Sequence, residues 1–240
     1  MNDYGSMGTL LESVLKRYRD PLGNVDYLSM LADESVVQFA ESLASFDLSS
    51  LKTKEEEMAF WINSYNALSI YGVLKKIRTD SSFVERGNSS WLQRVRFFAL
   101  QKFVVGGKQF SLRDIENKLR ENYDDPRIHF ALNCSSTSCP ALKDGRYSAE
   151  HLDSELDAAA KLYLSSPQGL KLDKDDRILY VSLIFKWYKR DFERTGKSVR
   201  EYIMQYVSDD HREFIETHSD TIKVKYLEYD WSLNSSEEAE

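Results

Sequence analysis

The stretch that decides the fold is Met58–Leu74, which reads MAFWINSYNALSIYGVL. It is apolar almost all the way around a helix, and this pattern predicts a helix buried inside the protein. Thr53 and Glu56 precede it at the spacing of a capping box, so we expect the helix to begin there. The basic residues that follow the stretch suit the negative end of the helix dipole. We therefore expect one long buried helix around which the rest of the chain packs.

Two asparagines interrupt this apolar helix. Asn63 and Asn66 lie one turn apart and therefore share a face. A buried amide without a partner costs about 1–3 kcal/mol, so each should bind a neighbouring backbone, a catalytic side chain or a ligand. Together with Trp61 and Trp187, they are our candidates for residues that bind the substrate or orient a catalytic group.

The remaining elements follow from local patterns. A glycine pair within Phe103–Phe110 predicts a hairpin, and Ser111 with Asp114 predicts the start of a helix. Further patterns predict helices at 148–164 and 199–207, a helical segment at 185–192, and strands at 169–173, 178–184 and 222–229. We predict an α+β fold, namely a mostly helical single domain with a small, mainly antiparallel sheet.

The length of 240 residues suits one large domain. We predict that residues 1–52 form an N-terminal helical segment packed on the main domain. The main α+β domain is expected to span residues 53–234, and residues 235–240 an acidic tail.

Composition and charge narrow the classes of partner. The chain is 42% hydrophobic and 30% charged, which is typical of a soluble globular protein, and its net charge of −7 argues against nucleic acid as a partner. We see no apolar stretch long enough to span a bilayer and no pattern of a secretory leader at the N-terminus. We therefore expect a small-molecule or peptide substrate, no nucleic acid and no membrane insertion. The compartment and the oligomeric state stay open.

The segment Arg127–Leu142 carries both cysteines and one of the four histidines. Pro140 predicts that Cys139 is the N-cap of a short helix, whose dipole would lower the pKa of the thiol from about 8.5. Ser136–Ser138 are small and would leave backbone donors for an oxyanion. His129 would act as general base, and Asp191, Asn63 or Asn66 would orient its ring.

Other readings of these residues stay open. Cys134 is the alternative nucleophile, and its spacing from Cys139 also permits a disulfide that would make the pair a redox switch. His129 and the two cysteines would suit zinc, but the spacing matches no standard pattern, so we assign no metal and no cofactor. Free cysteines are also often inert and buried, which would fit a binding or scaffold module.

Four motifs in order carry a resemblance to a known family. They are Ala59–Leu68, Ile128–Pro140, Phe185–Phe192 and Tyr229–Asn234. The set resembles the domain of unknown function 547 family, over roughly residues 50–234. The matching residues are Asn63, Asn66, His129, Cys134, Cys139, Trp187, Asp191 and Trp231. The resemblance implies a domain that occurs alone in bacteria and attached to other modules in eukaryotes, and it implies no activity.

One departure from the family concerns the backbone. The family often has glycine after the first cysteine, where this chain has Ser135, which speaks against a positive φ there. The order of histidine, cysteine and supporting amide and carboxylate residues is also similar to a rearranged papain-type thiol hydrolase, as an analogy of parts. We therefore predict a cysteine hydrolase or acyl transferase acting on an amide, peptide or thioester bond. A binding or scaffold module, a redox-sensing domain and a zinc-binding domain are the alternatives.

Overall fold

The computed structural model describes residues 4–236 of the chain. Its helices are α1 (Tyr4–Tyr18), α2 (Tyr27–Met30), α3 (Ser35–Ala44), α4 (Lys54–Thr79), α5 (Phe83–Arg86), α6 (Trp91–Arg94), α7 (Leu112–Asn122), α8 (Ile128–Ala131), α9 (Leu152–Ser165), α10 (Ile184–Trp187), α11 (Lys189–Glu193), α12 (Val199–Ile203) and α13 (Asp209–Thr217). A 3₁₀ turn lies at Leu48–Ser50, and α6 continues as a π-helical segment, Val95–Leu100. The strands are β1 (Phe103–Val105), β2 (Lys108–Phe110), β3 (Leu170–Asp173), β4 (Ile178–Val181) and β5 (Lys223–Tyr226). The predicted α+β fold is confirmed.

Helix α4 is the centre of the protein, as predicted. The Thr53 hydroxyl accepts from the Glu56 backbone amide and the Glu56 carboxylate accepts from the Thr53 amide, which completes the capping box. All but one of the residues in Met58–Leu74 are buried. A helix buried on every side must be covered by other elements, and α3 and α7 pack against it.

The core divides into two hydrophobic clusters that meet at α8. The first surrounds α4 and includes residues of α1, α3 and α7, so the N-terminal helices share the core of the central helix. The second joins the sheet to helices α9–α12. Ile128 and Ala131 of α8 belong to the first cluster and Phe130 to the second. His129 therefore lies where the two halves of the core meet.

The strands form two small sheets. The predicted hairpin is confirmed, with β1 antiparallel to β2 and positive φ angles of 56° and 75° at Gly106 and Gly107. Strands β3 and β4 are also antiparallel, whereas β5 pairs in parallel with β4. The parallel pair is possible because α10–α13 supply the long crossover that it requires. The prediction of a mainly antiparallel sheet is therefore confirmed, with one parallel pair added.

The short helix predicted to begin after Cys139 is absent. No helix follows Pro140 until α9 begins at Leu152, so Cys139 is not a helix N-cap and that prediction is wrong. The carbonyl of Pro140 accepts from the Asn133 side chain and that of Leu142 from the Arg19 side chain. These two side chains therefore bind the carbonyls of a segment that has no regular secondary structure. The start of the predicted helix at 148 is likewise shifted by about one turn.

The C-terminal segment returns to the N-terminal half. The backbone of Ser235 pairs with Val25, and the Tyr27 hydroxyl donates to Asn234 Oδ1 at 2.8 Å. The first residues of the predicted acidic tail are thus anchored, and residues 237–240 lie outside the described part. Across residues 4–236, the helices are all too short or too polar to cross a bilayer.

Candidate functional site

A pocket of about 470 Å³ opens between the two halves of the core. His129, Cys134 and Cys139 all contribute to its lining, so the three residues singled out from the sequence face one cavity. Trp187 and Tyr229 supply aromatic surface to it. The pocket therefore collects the residues of the chain that are best suited to thiol chemistry.

The two cysteines are joined by a disulfide. Cys139 is buried, with 8% of its surface exposed, while Cys134 is half-buried. An incoming thiol would therefore reach the sulfur of Cys134 more readily than that of Cys139.

Hydrogen-bond donors surround the sulfur of Cys139. The backbone amide of Cys134 lies 3.0 Å from Cys139 Sγ, the Ser136 hydroxyl 3.3 Å and the Tyr229 hydroxyl 3.2 Å. Burial raises the pKa of Tyr229 far above its usual value, so its hydroxyl remains a donor. Donors aimed at a sulfur favour the thiolate over the thiol. At a free Cys139 these three groups would stabilise the thiolate, a role that the sequence analysis assigned to a helix dipole.

The loop between the cysteines requires a left-handed backbone. Ser135 has a φ of 57°, so the position keeps the conformation that glycine would adopt, and the expectation drawn from the missing glycine is wrong. The Ser135 amide donates to Asn133 Oδ1, and its hydroxyl lies 2.8 Å from that of Ser69 on α4. These bonds hold the strained residue in place.

We expect Ser135→Val to lower the free energy of unfolding by about 1–3 kcal/mol, because a β-branched residue is strained at positive φ and loses the bond to Ser69. Ser135→Gly is the matched variant that adopts this φ without strain. Urea unfolding followed by tryptophan fluorescence measures both. Equal stability of Ser135→Val and the wild type would contradict the assigned backbone conformation.

The imidazole of His129 is held by a carboxylate from the other half of the core. His129 Nε2 lies 2.8 Å from Asp191 Oδ2 on α11. Arg120 Nε donates to the same oxygen at 2.6 Å, and Arg194 donates to Oδ1 at 3.0 Å. The ring also stacks on Tyr188, with centroids 4.0 Å apart. The ring is therefore fixed in both position and tilt.

Charge and burial decide where the proton on His129 lies. Burial opposes ionisation of Asp191, but the hydrogen bonds from His129 and Arg120 outweigh it and hold the pKa of Asp191 well below its usual value. Burial also lowers the pKa of His129, against the opposing effect of Asp191. An ionised carboxylate can only accept, so a neutral His129 carries its proton on Nε2. The lone pair then lies on Nδ1, which is the basic position of the ring.

The lowered pKa of His129 predicts how stability depends on pH. Below about pH 6.5 the unfolded chain binds a proton at this residue that the native state does not bind, so the free energy of unfolding should fall as the pH drops from 7.5 to 5. The lowered pKa of Asp191 acts in a separate window, below about pH 4. Urea titrations across pH 5–7.5 should show a flatter dependence for His129→Gln than for the wild type. Parallel curves for the two proteins would contradict a buried neutral histidine.

The two asparagines of α4 bind backbone. Asn63 exchanges two hydrogen bonds of 2.8 Å with the backbone of Tyr147. Asn66 donates to the carbonyl of Ala131 and accepts from the amide of Asn133. Asn66 thereby fixes the segment that joins His129 to Cys134. Of the alternatives left open by the sequence, the structure favours a neighbouring backbone.

The other candidates occupy different environments. Trp61 is buried against Phe60 and Phe110 and is not among the residues that line the pocket. Trp187 is 44% exposed and does line it. The backbone amides of Thr137 and Ser138 donate to carbonyls of the C-terminal segment. The predicted use of backbone amides for an oxyanion is therefore wrong for Thr137 and Ser138.

Sequence reasoning missed one wall of the pocket. Arg113, Glu116, Asn117 and Arg120 of α7 all line the cavity, at positions i, i+3, i+4 and i+7. This spacing is visible in the sequence and places the four side chains on one face. Polar residues at helical spacing normally indicate a solvated surface, so the signal did not separate a pocket wall from ordinary exterior.

The zinc alternative finds no supporting cluster. Across the described residues, no three histidine, cysteine or acidic side chains are grouped so that they could hold a metal ion. Both cysteine sulfurs are bonded to each other.

Comparisons with known proteins give one match, to a family model. No curated protein and no solved structure matches it. A family model matches residues 48–164, from the 3₁₀ turn before α4 into the last turn of α9, and this range includes His129 and both cysteines. Asp191 and Tyr229 lie beyond the matched range. Residues 48–164 are therefore similar to the family described as "Protein of unknown function, DUF547".

Proposed function

We propose that this protein is a cysteine hydrolase or acyl transferase that acts on an amide, peptide or thioester bond. Cys139 is the nucleophile, His129 the general base, and Asp191 the residue that orients the histidine. The disulfide with Cys134 is the inactive form from which the nucleophile is released. The observation that carries the proposal is one pocket that collects a sulfur surrounded by donors and a histidine paired with a carboxylate.

Reduction releases the nucleophile in two steps. An external thiolate attacks Sγ of Cys134, the more exposed of the two residues, and the bond between the cysteines breaks. Cys139 leaves with the electron pair as a thiolate, which its three donors stabilise. A second external thiol then attacks the mixed disulfide on Cys134, so that Cys134 becomes a thiol and the two external thiols form a disulfide.

The reduced site carries out acyl transfer. The thiolate of Cys139 forms a bond to the carbonyl carbon, and the carbonyl π electrons move to oxygen. We assign the stabilisation of that oxygen to the Tyr229 hydroxyl and the Cys134 amide, which contact the sulfur. His129 takes the proton of the Cys139 thiol when the attacking thiolate forms, and it gives that proton to the leaving amine or thiolate as the carbon–leaving-group bond breaks. Water then attacks the thioester with His129 as base, and Cys139 leaves.

The contacts favour Cys139 over Cys134 as nucleophile. Cys139 Sγ has three donors, one of them a rigid backbone amide, whereas Cys134 Sγ contacts two hydroxyls, those of Ser136 and Tyr229. Because a backbone amide is already fixed in place, it stabilises a thiolate without loss of side-chain freedom. The exposure of Cys134 suits the cysteine that exchanges with external thiols. The similarity to papain-type thiol hydrolases remains an analogy between residue types.

A redox sensor without hydrolytic activity is the second candidate. The disulfide itself favours it, because Cys134 and Cys139 already form a bond beside an open pocket. In this function, opening of the disulfide would alter the loop and its contacts with the C-terminal segment. Acyl transfer would then not occur in either redox state.

Acetylation by a small thioester separates these two functions. Reduced and oxidised protein are incubated with S-phenyl thioacetate and their intact masses are measured, followed by peptide mapping. For a hydrolase or acyl transferase we expect one acetyl group per chain on Cys139 in the reduced protein, and none in the oxidised protein. Acetyl groups on surface lysines only, at equal levels in both states, would contradict the proposal and favour the sensor.

A further inference from the structure

The pocket has an aromatic wall beside the disulfide. Trp187, Tyr229 and Trp231 form a triangle with ring centroids 4.6–5.6 Å apart, and all three line the cavity. Trp187 is 44% exposed, so part of this surface is open to a ligand. Flat apolar groups pack favourably on such rings. This wall suits an aromatic or other planar substrate group.

Two further guanidinium groups, those of Arg94 and Arg113, line the pocket. Arg94 lies 4.7 Å from the ring centre of Trp231, and its Nη1 donates to the carbonyls of Asn88 and Ser89. A guanidinium has five donors, so this fixed group retains capacity for an anion. Arg113 of α7 is exposed at the pocket and has no carboxylate partner within residues 4–236.

The charges of the lining favour an anion. Arg120 is engaged by Asp191, and Glu116 is the carboxylate among the described residues of the lining. The two positive charges of Arg94 and Arg113 therefore outnumber the one negative charge of the lining, although the net charge of the chain is −7. A positive pocket in an acidic protein attracts anions selectively. Because Arg94 is held by backbone carbonyls and the ring of Trp231, little side-chain freedom is lost when it binds.

We propose that this pocket binds a carboxylate attached next to a flat apolar group. Arg94 and Arg113 hold the carboxylate, and Trp187 and Trp231 hold the flat group. The C-terminal aromatic residue of a peptide and a small aromatic acid both have this chemistry. If the proposed acyl transfer occurs at this site, this chemistry is that of its substrate. Binding of the ligand does not depend on that reaction, whereas its conversion does.

The test uses wild-type protein in its disulfide form, in which neither cysteine is a free thiol. Isothermal titration calorimetry compares N-acetyl-L-phenylalanine with its neutral amide. We expect the acid to bind at least tenfold more tightly, and Arg113→Gln to weaken binding of the acid about tenfold without affecting the amide. Arg96→Gln is the matched control, because Arg96 is exposed on the neighbouring π-helical segment and outside the lining.

The outcomes separate binding from catalysis. Equal binding of acid and amide, no binding of either up to millimolar concentration, or equal effects of Arg96→Gln and Arg113→Gln would overturn the substrate class. None of these results would bear on acyl transfer, because the disulfide form has no free thiol. Acyl transfer is tested separately by acetylation with S-phenyl thioacetate. Titration of N-acetylglycyl-L-phenylalanine and of 3-phenylpropionate shows whether the natural ligand is a peptide C-terminus or a small aromatic acid. Tighter binding of the dipeptide supports peptide termini, and tighter binding of 3-phenylpropionate supports small aromatic acids.

Discussion

Cys139→Ser is expected to abolish acetyl transfer from a small thioester, with a loss of about 10⁴-fold or more. A serine hydroxyl in the same place is a far weaker nucleophile than a thiolate, and the donors around Cys139 would stabilise an anion that serine does not form at neutral pH. The rate of acetylation and its turnover are measured with S-phenyl thioacetate in the presence of a reductant.

Cys134→Ser is the matched control for that variant. It also removes the disulfide, but it keeps Cys139 and the backbone amide at position 134. We therefore expect it to react without any reductant, at a rate near that of the reduced wild type. If Cys139→Ser kept the activity and Cys134→Ser lost it, the roles of the two cysteines would be reversed. If neither variant differed from the wild type, the thiol site would have no part in the chemistry.

His129→Gln is expected to slow acetylation by about 10²–10⁴-fold, because glutamine cannot accept the thiol proton. Glutamine can still hydrogen-bond to Asp191, so this variant tests the base with limited disturbance of the ion pairs around that carboxylate. His218→Gln is the control, since His218 follows α13 and contacts the carbonyl of Phe214, outside the pocket lining.

The pH profile of His129→Gln adds a second readout. If His129 is the general base, the acetylation rate should rise with pH as its imidazole loses a proton. This rise should be absent in His129→Gln. Thermal unfolding and far-UV circular dichroism establish that the variant is folded. A folded variant with the wild-type rate and profile would remove His129 from the mechanism.

The parts of the fold that the sequence predicted are those whose signals are local. The capping box at Thr53 and the apolar run that follows it specify α4 from neighbouring residues alone, and the glycine pair specifies the β1–β2 hairpin. The segment after Pro140 was mispredicted because its carbonyls bind Asn133 and Arg19, and the second of these contacts spans 123 positions. Such long-range hydrogen bonds leave no local pattern.

The sequence predicted only part of the candidate site, because several of its contacts join residues that are far apart in the chain. His129 and Asp191 were proposed as partners and are hydrogen-bonded although 62 positions separate them. The sequence singled them out by residue type and by the family resemblance. Tyr229 was overlooked as a donor because it was assigned to a predicted strand, where alternating residues read as ordinary β structure. Arg113 was overlooked because its helix face resembles an exterior surface.

The most direct measurement is the rate of alkylation of Cys139 as a function of pH in the Cys134→Ser variant. Iodoacetamide reacts with the thiolate, so the midpoint of the rate profile gives the pKa of the thiol. Three donors on the sulfur and a histidine that lines the same pocket should place that midpoint below about pH 7, and His129→Gln should shift it. A midpoint near or above about 8.5, or no reaction before the protein unfolds, would contradict a nucleophilic cysteine in this pocket.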